Sequence, residues 1–122
     1  MSRERDRALA TLADVSGIKA TSETARKRYA TLVYKLPVLL RTAGLAQTVA
    51  FLTSRSNDEG MPLVRHLGAR LGLGQNVFAE IAAAPTGRYL ALTAEALASA
   101  DWYVRHVQAV LKVERTDTTG ED

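Results

Sequence analysis

The chain contains no cysteine, and its 122 residues include only three prolines and eight glycines. Without cysteine the protein forms no disulfide, performs no thiolate chemistry and lacks the usual ligands of structural zinc. This is compatible with a reducing cytoplasm, where we expect the protein to be located. No stretch approaches 18 consecutive apolar residues, and the charged amino terminus lacks the pattern of a signal peptide, so we expect no membrane segment.

Alanine and leucine dominate the composition, and runs of β-branched residues are absent. This composition favours helix over strand. A chain of this length, with 47% hydrophobic and 24% charged residues, fits one domain with one core. We therefore predict an all-α protein, a compact single-domain bundle of about six helices over residues 1–115, followed by a disordered acidic tail over residues 116–122.

Apolar spacing and turn residues locate the helices. We predict helices over about 3–14, from a cap at Thr21 or Ser22 to 43, and over 45–54, 62–71, 77–83 and 88–114. Gly17 is predicted to end the first helix, since glycine suits the position that follows a helix. Pro37 lies inside the second helix, where its ring and its missing N–H predict a kink or a break. Residues 57–60 and 72–74 are predicted turns.

The last predicted helix is apolar on two opposite sides. One stripe consists of Leu90, Leu97, Val104 and Leu111. The other consists of Trp102, His106, Val110 and Val113. A helix of this kind is either central to its own bundle or partly covered by a partner. We favour a central helix with Trp102 in the core, and a docking surface is the alternative.

The residues of common catalytic motifs are missing. His66 and His106 are the only histidines, and neither has a second histidine at the spacing of a metal site. No serine has the glycine-flanked pattern of a nucleophile turn. Gly74 is followed by Gln75 rather than by the lysine of a phosphate loop. We therefore expect no catalytic residue, no metal and no cofactor, and we expect that the protein is not an enzyme.

Positive charge is concentrated in residues 19–55, which hold seven lysine or arginine side chains against the single acid Glu23. Residues 56–122 hold six basic and nine acidic side chains, and the whole chain has a net charge of only +3. A basic block inside a nearly neutral chain is typical of a surface that binds nucleic acid. A solvated helix surface gives the same charge pattern, so charge alone leaves both interpretations open.

The basic residues of the second helix share one side. At 100° per residue, Lys27, Tyr34 and Arg41 lie nearly in line opposite the apolar stripe, and Arg28 and Lys35 flank them. At 1.5 Å per residue this surface is about 20 Å long, which matches several nucleotides. We define these five residues as the basic face. We predict that its cations neutralise RNA phosphates and that Tyr34 stacks or forms a hydrogen bond.

Two segments of the chain resemble a known family. Residues 28–52 contain the steps Lys35-Leu36-Pro37 and Gly44-Leu45-Ala46-Gln47, and residues 89–97 are followed by Trp102 and Arg105. Both segments resemble the small helical subunit of the type III-B CRISPR effector complex, the RAMP-module (Cmr) complex. The matching blocks, residues 22–53 and 88–112, cover 57 of the 122 positions, whereas residues 56–85 show no match.

The resemblance implies a compact helical protein without enzymatic activity that serves antiviral defence. It implies copies that stack in a minor filament beside the larger subunits that hold the guide RNA. The implied partners are the other Cmr subunits, copies of the chain itself, guide RNA and target RNA, with no membrane. The alternative is a DNA-binding regulator of helix-turn-helix type. The break at Gly44 allows it, but the helix that follows is too apolar to read a groove.

Overall fold

The computed structural model describes residues 2–55 and 59–117. Within these residues the chain forms α1 (Arg3–Lys19), α2 (Glu23–Thr42), α3 (Leu45–Thr53), α4 (Met61–Arg70), α5 (Val77–Ala83) and α6 (Thr86–His106). A π-helical turn (Val107–Leu111) and a 3-10 turn (Arg115–Asp117) follow. The prediction of an all-α protein with about six helices is confirmed. None of the described helices has the length and apolar character that crossing a membrane requires.

Serine side chains begin the first two helices. The Ser22 hydroxyl accepts a hydrogen bond from the Ala25 amide at 3.1 Å, which confirms the predicted cap of α2. The predicted end of α1 at Gly17 is wrong, because the helix continues to Lys19. Val15 is fully buried and Ile18 packs against the core. This burial outweighs the cost of about 1 kcal/mol that an interior glycine imposes on a helix.

Pro37 does not break α2, which continues to Thr42. Of the predicted kink or break, the break is therefore wrong, and the kink stays a prediction. Leu36 and Leu40 lie on the two sides of the proline and are almost completely buried. Burial of two leucines is worth about 3–6 kcal/mol, which offsets the cost of about 3 kcal/mol for an interior proline.

The core lies where α6 packs against α1 and α2, and it continues between α3, α4 and α5. The inward positions predicted for α4 are confirmed, since Leu63, Val64 and Leu67 are buried. The predicted bounds of α5 are also confirmed. In the predicted turn at 57–60, Asn57 and Asp58 lie outside the described residues.

The buried side of α6 differs from the prediction. It lies between the two predicted stripes and includes three small residues, Ala96, Ser99 and Ala100, beside Leu92 and Tyr103, and it continues into Val107 of the π-helical turn. Leu90, which the sequence assigns to a buried stripe, is 62% exposed. Small side chains allow neighbouring helices to approach closely. A prediction based on the spacing of large apolar residues does not identify them as buried. The helix also ends earlier than predicted, at His106, where the π-helical turn begins.

Trp102 lies at the rim between α1 and α6 and is only half-buried. Its indole Nε1 donates a hydrogen bond to a Glu4 carboxylate oxygen at 2.7 Å. Its ring stacks on His106, with the ring centroids 5.5 Å apart. The assignment of Trp102 to the core is therefore wrong.

The chain changes direction after the π-helical turn. Lys112 adopts a left-handed backbone conformation with φ of 57°, and the following residues pack against α2. We define residues 112–117 as the strap. The sequence predicts a disordered tail from Thr116 onward. Its first two residues, 116 and 117, belong to the 3-10 turn. Residues 118–122 lie outside the described residues.

Candidate nucleic-acid interface

Tyr34 is buried beneath the strap and is only 7% exposed. Its hydroxyl donates a hydrogen bond to the Val113 carbonyl oxygen at 2.6 Å. The Arg115 guanidinium lies over its ring, 4.4 Å from the centroid. The predicted outward position of Tyr34 is therefore wrong. The helical wheel places Tyr34 on the side away from the apolar stripe, but it gives no indication that the carboxyl-terminal residues fold back over that side.

The strap divides the basic face into two depressions. The first has a volume of about 330 Å³ and is lined by Glu23, Arg26, Lys27, Leu111, Lys112 and Val113. The second, which we define as the arginine groove, has a volume of about 460 Å³, and its lining includes Pro37, Val38, Arg41, Val104, Arg105 and Arg115. Each depression therefore joins at least one cation of α2 to one cation of the strap.

The four predicted cations lie in different surroundings. Lys27 is 41% exposed in its side chain and its Nζ lies 3.5 Å from a Glu23 carboxylate oxygen. Arg28 is 49% exposed and pairs with Glu59 at 3.6 Å, on a flank that borders α4. Lys35 is half-buried and Arg41 is exposed. The structure thus keeps all four on α2 but brings only Lys27 and Arg41 into the two depressions.

Other cations at this surface were missed by the sequence analysis. Arg26 and Lys112 join Lys27 in the first depression, and Arg105 and Arg115 join Arg41 in the second. Arg105 belongs to the second block that resembles the family, so its position in the sequence was a reason to consider it as a functional residue. Lys112 is the last residue of the same block and Arg115 lies beyond it. The sequence did not indicate that either joins the cations of α2, because their placement depends on the reversal of the chain after α6.

Arg41 and Arg105 differ in their pairing from Lys27 and Arg28, which contact Glu23 and Glu59. Within the part of the chain that the structure describes, neither Arg41 nor Arg105 takes part in an ion pair. By contrast, Arg7 of α1 forms a bidentate ion pair with Glu95, with distances of 2.7 and 2.8 Å. This hydrogen-bonded pairing holds the pKa of the Glu95 carboxyl below its usual value and raises that of Arg7. Because Arg41 and Arg105 have no such carboxylate partner among the described residues, the arginine groove keeps positive charge.

Both histidines are engaged in contacts between helices. His66 Nδ1 lies 2.7 Å from the Tyr29 hydroxyl. His106 Nε2 donates to the Ala8 carbonyl oxygen and lies 3.1 Å from both that atom and the Thr11 hydroxyl. Burial lowers the pKa of each ring, which favours the neutral form. Within residues 2–55 and 59–117, no three potential metal-ligating side chains form a cluster.

The helix that would read DNA in a helix-turn-helix protein is part of the core. Leu45, Val49 and Leu52 of α3 are fully buried. The helix contains no lysine or arginine, and its amino-terminal amide at Ala46 donates to the Tyr89 hydroxyl at 3.1 Å. Its packing against α2, α4 and α5 leaves the alternative of a DNA-binding regulator without support.

Comparisons with known proteins agree with the fold. The family model of the CRISPR-associated protein Cas_Cmr5 matches residues 3–110. Over 96 residues the chain is 38% identical to the CRISPR system Cmr subunit Cmr5 of Thermus thermophilus, a match that covers 77% of this chain and 84% of that protein.

A solved structure gives the same result. The crystal structure of a CRISPR-associated Cmr5 family protein from Thermus thermophilus has a TM-score of 0.81 and 32% identity to this chain, covering 90% of it and 98% of the other. The resemblance seen in the sequence is confirmed, and it extends across residues 56–85, where the sequence alone showed no match. The chain therefore belongs to the Cmr5 family of CRISPR-associated proteins.

Proposed function

We propose that the chain is a non-catalytic small subunit of a type III-B CRISPR effector complex that contacts the backbone of the guide–target RNA duplex through the cations of its basic face. In this proposal copies stack in the minor filament, beside the larger subunits, and support antiviral defence. The observation that carries the proposal is the run of Lys27, Arg28, Lys35 and Arg41 along one side of α2 in a chain of the Cmr5 family.

The electrostatics of these residues support RNA contact. The ion pairs of Lys27 with Glu23 and of Arg28 with Glu59 are at least 3.5 Å long and partly exposed. Such pairs contribute about 0–1 kcal/mol, so little free energy opposes their exchange for phosphate partners. Backbone contact of this kind depends little on base sequence, which suits a subunit that must accept any guide.

The strap supports the same proposal. Lys112 and Arg115 add two cations to the three that α2 supplies to the depressions, Arg26, Lys27 and Arg41. The hydrogen bond from Tyr34 to Val113 holds the strap on α2. In our proposal Tyr34 therefore acts as the anchor of a composite basic surface, and the cations on both sides of it meet the RNA.

The contacts of the histidines support a non-catalytic role. His66 and His106 are held by Tyr29 and by α1 respectively, and each has a lowered pKa because of burial. Neither histidine belongs to the lining of the arginine groove or of the first depression. A highly purified sample is expected to leave RNA intact with and without divalent metal. RNA cleavage that follows the protein peak would contradict this part of the proposal.

The direct test is purification of the affinity-tagged chain from its native host. We expect it to bring with it the larger Cmr subunits and a guide RNA. A variant of the basic face is the informative comparison, because association with protein subunits should survive while RNA contact weakens. Recovery of the tagged chain without Cmr proteins and without RNA would overturn the proposal.

A further inference from the structure

The arginine groove combines positive charge with an exposed apolar surface. Arg41, Arg105 and Arg115 line it, and Asp101 is the one acidic side chain among the described residues of its lining. Three arginines against one carboxylate leave an excess of positive charge at this site. Because Arg41 and Arg105 form no ion pair within the described ranges, the groove is complementary to an anion such as a phosphate.

The apolar part of the groove consists of Pro37, Val38 and Val104. Val38 is 59% exposed, which makes it one of the most exposed large apolar side chains among the described residues. Phosphate contacts make no use of such a surface. A nucleobase does, because its flat face is poorly hydrated and packs against apolar side chains and guanidinium planes. A groove that combines cations with apolar side chains is therefore better suited to a whole nucleotide than to the sugar–phosphate backbone alone.

The end of α6 supplies groups that suit the edge of a base. Gln108 belongs to the π-helical turn and lines the groove together with Asp101. A glutamine amide both donates and accepts hydrogen bonds, and a carboxylate accepts them. Short π-helical turns often occur at functional sites. The groove is open to solvent, and its volume of about 460 Å³ lies within the range of clefts that hold a small ligand.

Arg115 is positioned before any ligand binds. Its guanidinium lies 4.4 Å from the centroid of the Tyr34 ring, and Tyr34 is itself tied to the strap at Val113. A cation–π contact favours this position of the guanidinium over the ring. The strap thereby fixes one wall of the groove in a geometry that suits stacking on a base or contact with a phosphate.

We infer that the arginine groove binds one unpaired nucleotide of single-stranded RNA, with the base against Val38 and the phosphate on the arginines. The inference rests on the proposed function and adds a specific contact to it. Backbone binding by the basic face treats paired and unpaired RNA alike, whereas this site requires a base that is free of its pairing partner. The protein therefore prefers an RNA strand that carries bases over one that carries only sugars and phosphates.

The test compares two RNA strands of equal length and phosphate count, one with bases and one abasic, bound to the full chain at low salt. We expect the strand with bases to bind about 2- to 5-fold more tightly, which is the effect of one exposed cation–π contact between a base and a guanidinium. Val38→Asn should remove most of this difference without changing the salt dependence, because no charge is altered. Leu90→Asn is the matched control, since Leu90 is equally exposed, at 62%, and lies away from the groove.

The outcomes separate this inference from the proposed function. Equal binding of the two strands overturns the nucleotide site, and the backbone proposal stands if both strands still bind in a salt-dependent manner. Loss of all RNA binding defeats both. If Val38→Asn leaves the preference for bases intact but prevents association with the larger subunits, the groove holds a protein segment and the inference is wrong.

Discussion

The Tyr34 hydroxyl donates a hydrogen bond to the Val113 carbonyl oxygen across 2.6 Å. The two residues are 79 positions apart, and their bond joins the middle of α2 to the segment that follows α6. It places the strap across the line of cations and divides their surface into two depressions. Tyr34, which the helical wheel places in contact with solvent, therefore holds the strap against α2.

Tyr34→Phe should loosen the strap. The substitution removes the hydroxyl and leaves a buried carbonyl oxygen without that donor, so we expect the free energy of unfolding to fall by about 1–2 kcal/mol. Hydrogen exchange should quicken at the Val113 amide, which donates to the Val107 carbonyl oxygen at 3.3 Å. Unchanged exchange at Val113 together with unchanged stability would show that the hydrogen bond does not hold the strap.

Gly17→Ala distinguishes the observed α1 from the shorter helix that the sequence suggests. Nothing lies within 4 Å of a β-carbon built at Gly17, and its φ is not positive. Alanine at an exposed position inside a helix should therefore raise the free energy of unfolding by about 0.5–1 kcal/mol. Urea unfolding measures the change. A loss of stability would indicate that Gly17 ends the helix in a left-handed conformation.

Trp102→Ala should cost less than removal of a core aromatic. Trp102 is half-buried, with one hydrogen bond to Glu4 and one ring contact with His106. We expect a loss of about 1–3 kcal/mol, compared with about 3–5 kcal/mol for a fully buried ring such as that of Tyr103. Thermal melting of the two alanine variants makes the comparison. A greater loss for Trp102→Ala than for Tyr103→Ala would contradict the rim position.

Stability should fall as the pH drops from about 7.5 to 5.5. Burial lowers the pKa of His66 and His106 in the folded protein. Around and below the usual histidine pKa of about 6.5, the unfolded chain therefore binds more protons than the folded protein does. The free energy of unfolding is therefore highest above this pKa, and it decreases as the pH falls through it. The double variant His66→Gln and His106→Gln should flatten the dependence in this window. An equally steep dependence in the variant would exclude the histidines as its cause.

The sequence predicts those parts of the fold that depend on local signals. The cap at Ser22 and the bounds of α5 follow from residue types and spacing. The buried side of α6 does not, because Ala96, Ser99 and Ala100 gain their role only from the helices that pack against them. The length of α1 is likewise decided by tertiary packing of Val15 and Ile18 rather than by the glycine between them.

The candidate interface divides in the same way. The cations of α2 were found because helical periodicity determines which residues share a side. The contributions of Lys112 and Arg115 were not found, since a reversal of the chain at a left-handed lysine brings them to α2. Tyr34 was misplaced for the same reason. Long-range contacts of a carboxyl-terminal segment leave no periodic pattern in the sequence.

RNA binding by a charge variant tests the central claim most directly. The variant replaces Lys27, Arg28, Lys35 and Arg41 with alanine. The control replaces four exposed arginines on other surfaces, Arg3, Arg5, Arg65 and Arg88, so both proteins lose the same charge. Affinity for single-stranded RNA is measured across a salt series, with circular dichroism to verify folding.

We expect the basic-face variant to bind more weakly at low salt than the control. The difference should shrink as salt rises, with the slope of log affinity against log salt reduced by up to about 3 for four lost phosphate contacts. Unchanged affinity at low salt in a folded variant, or an equal loss in the control, would contradict the assignment of RNA contact to this face of α2.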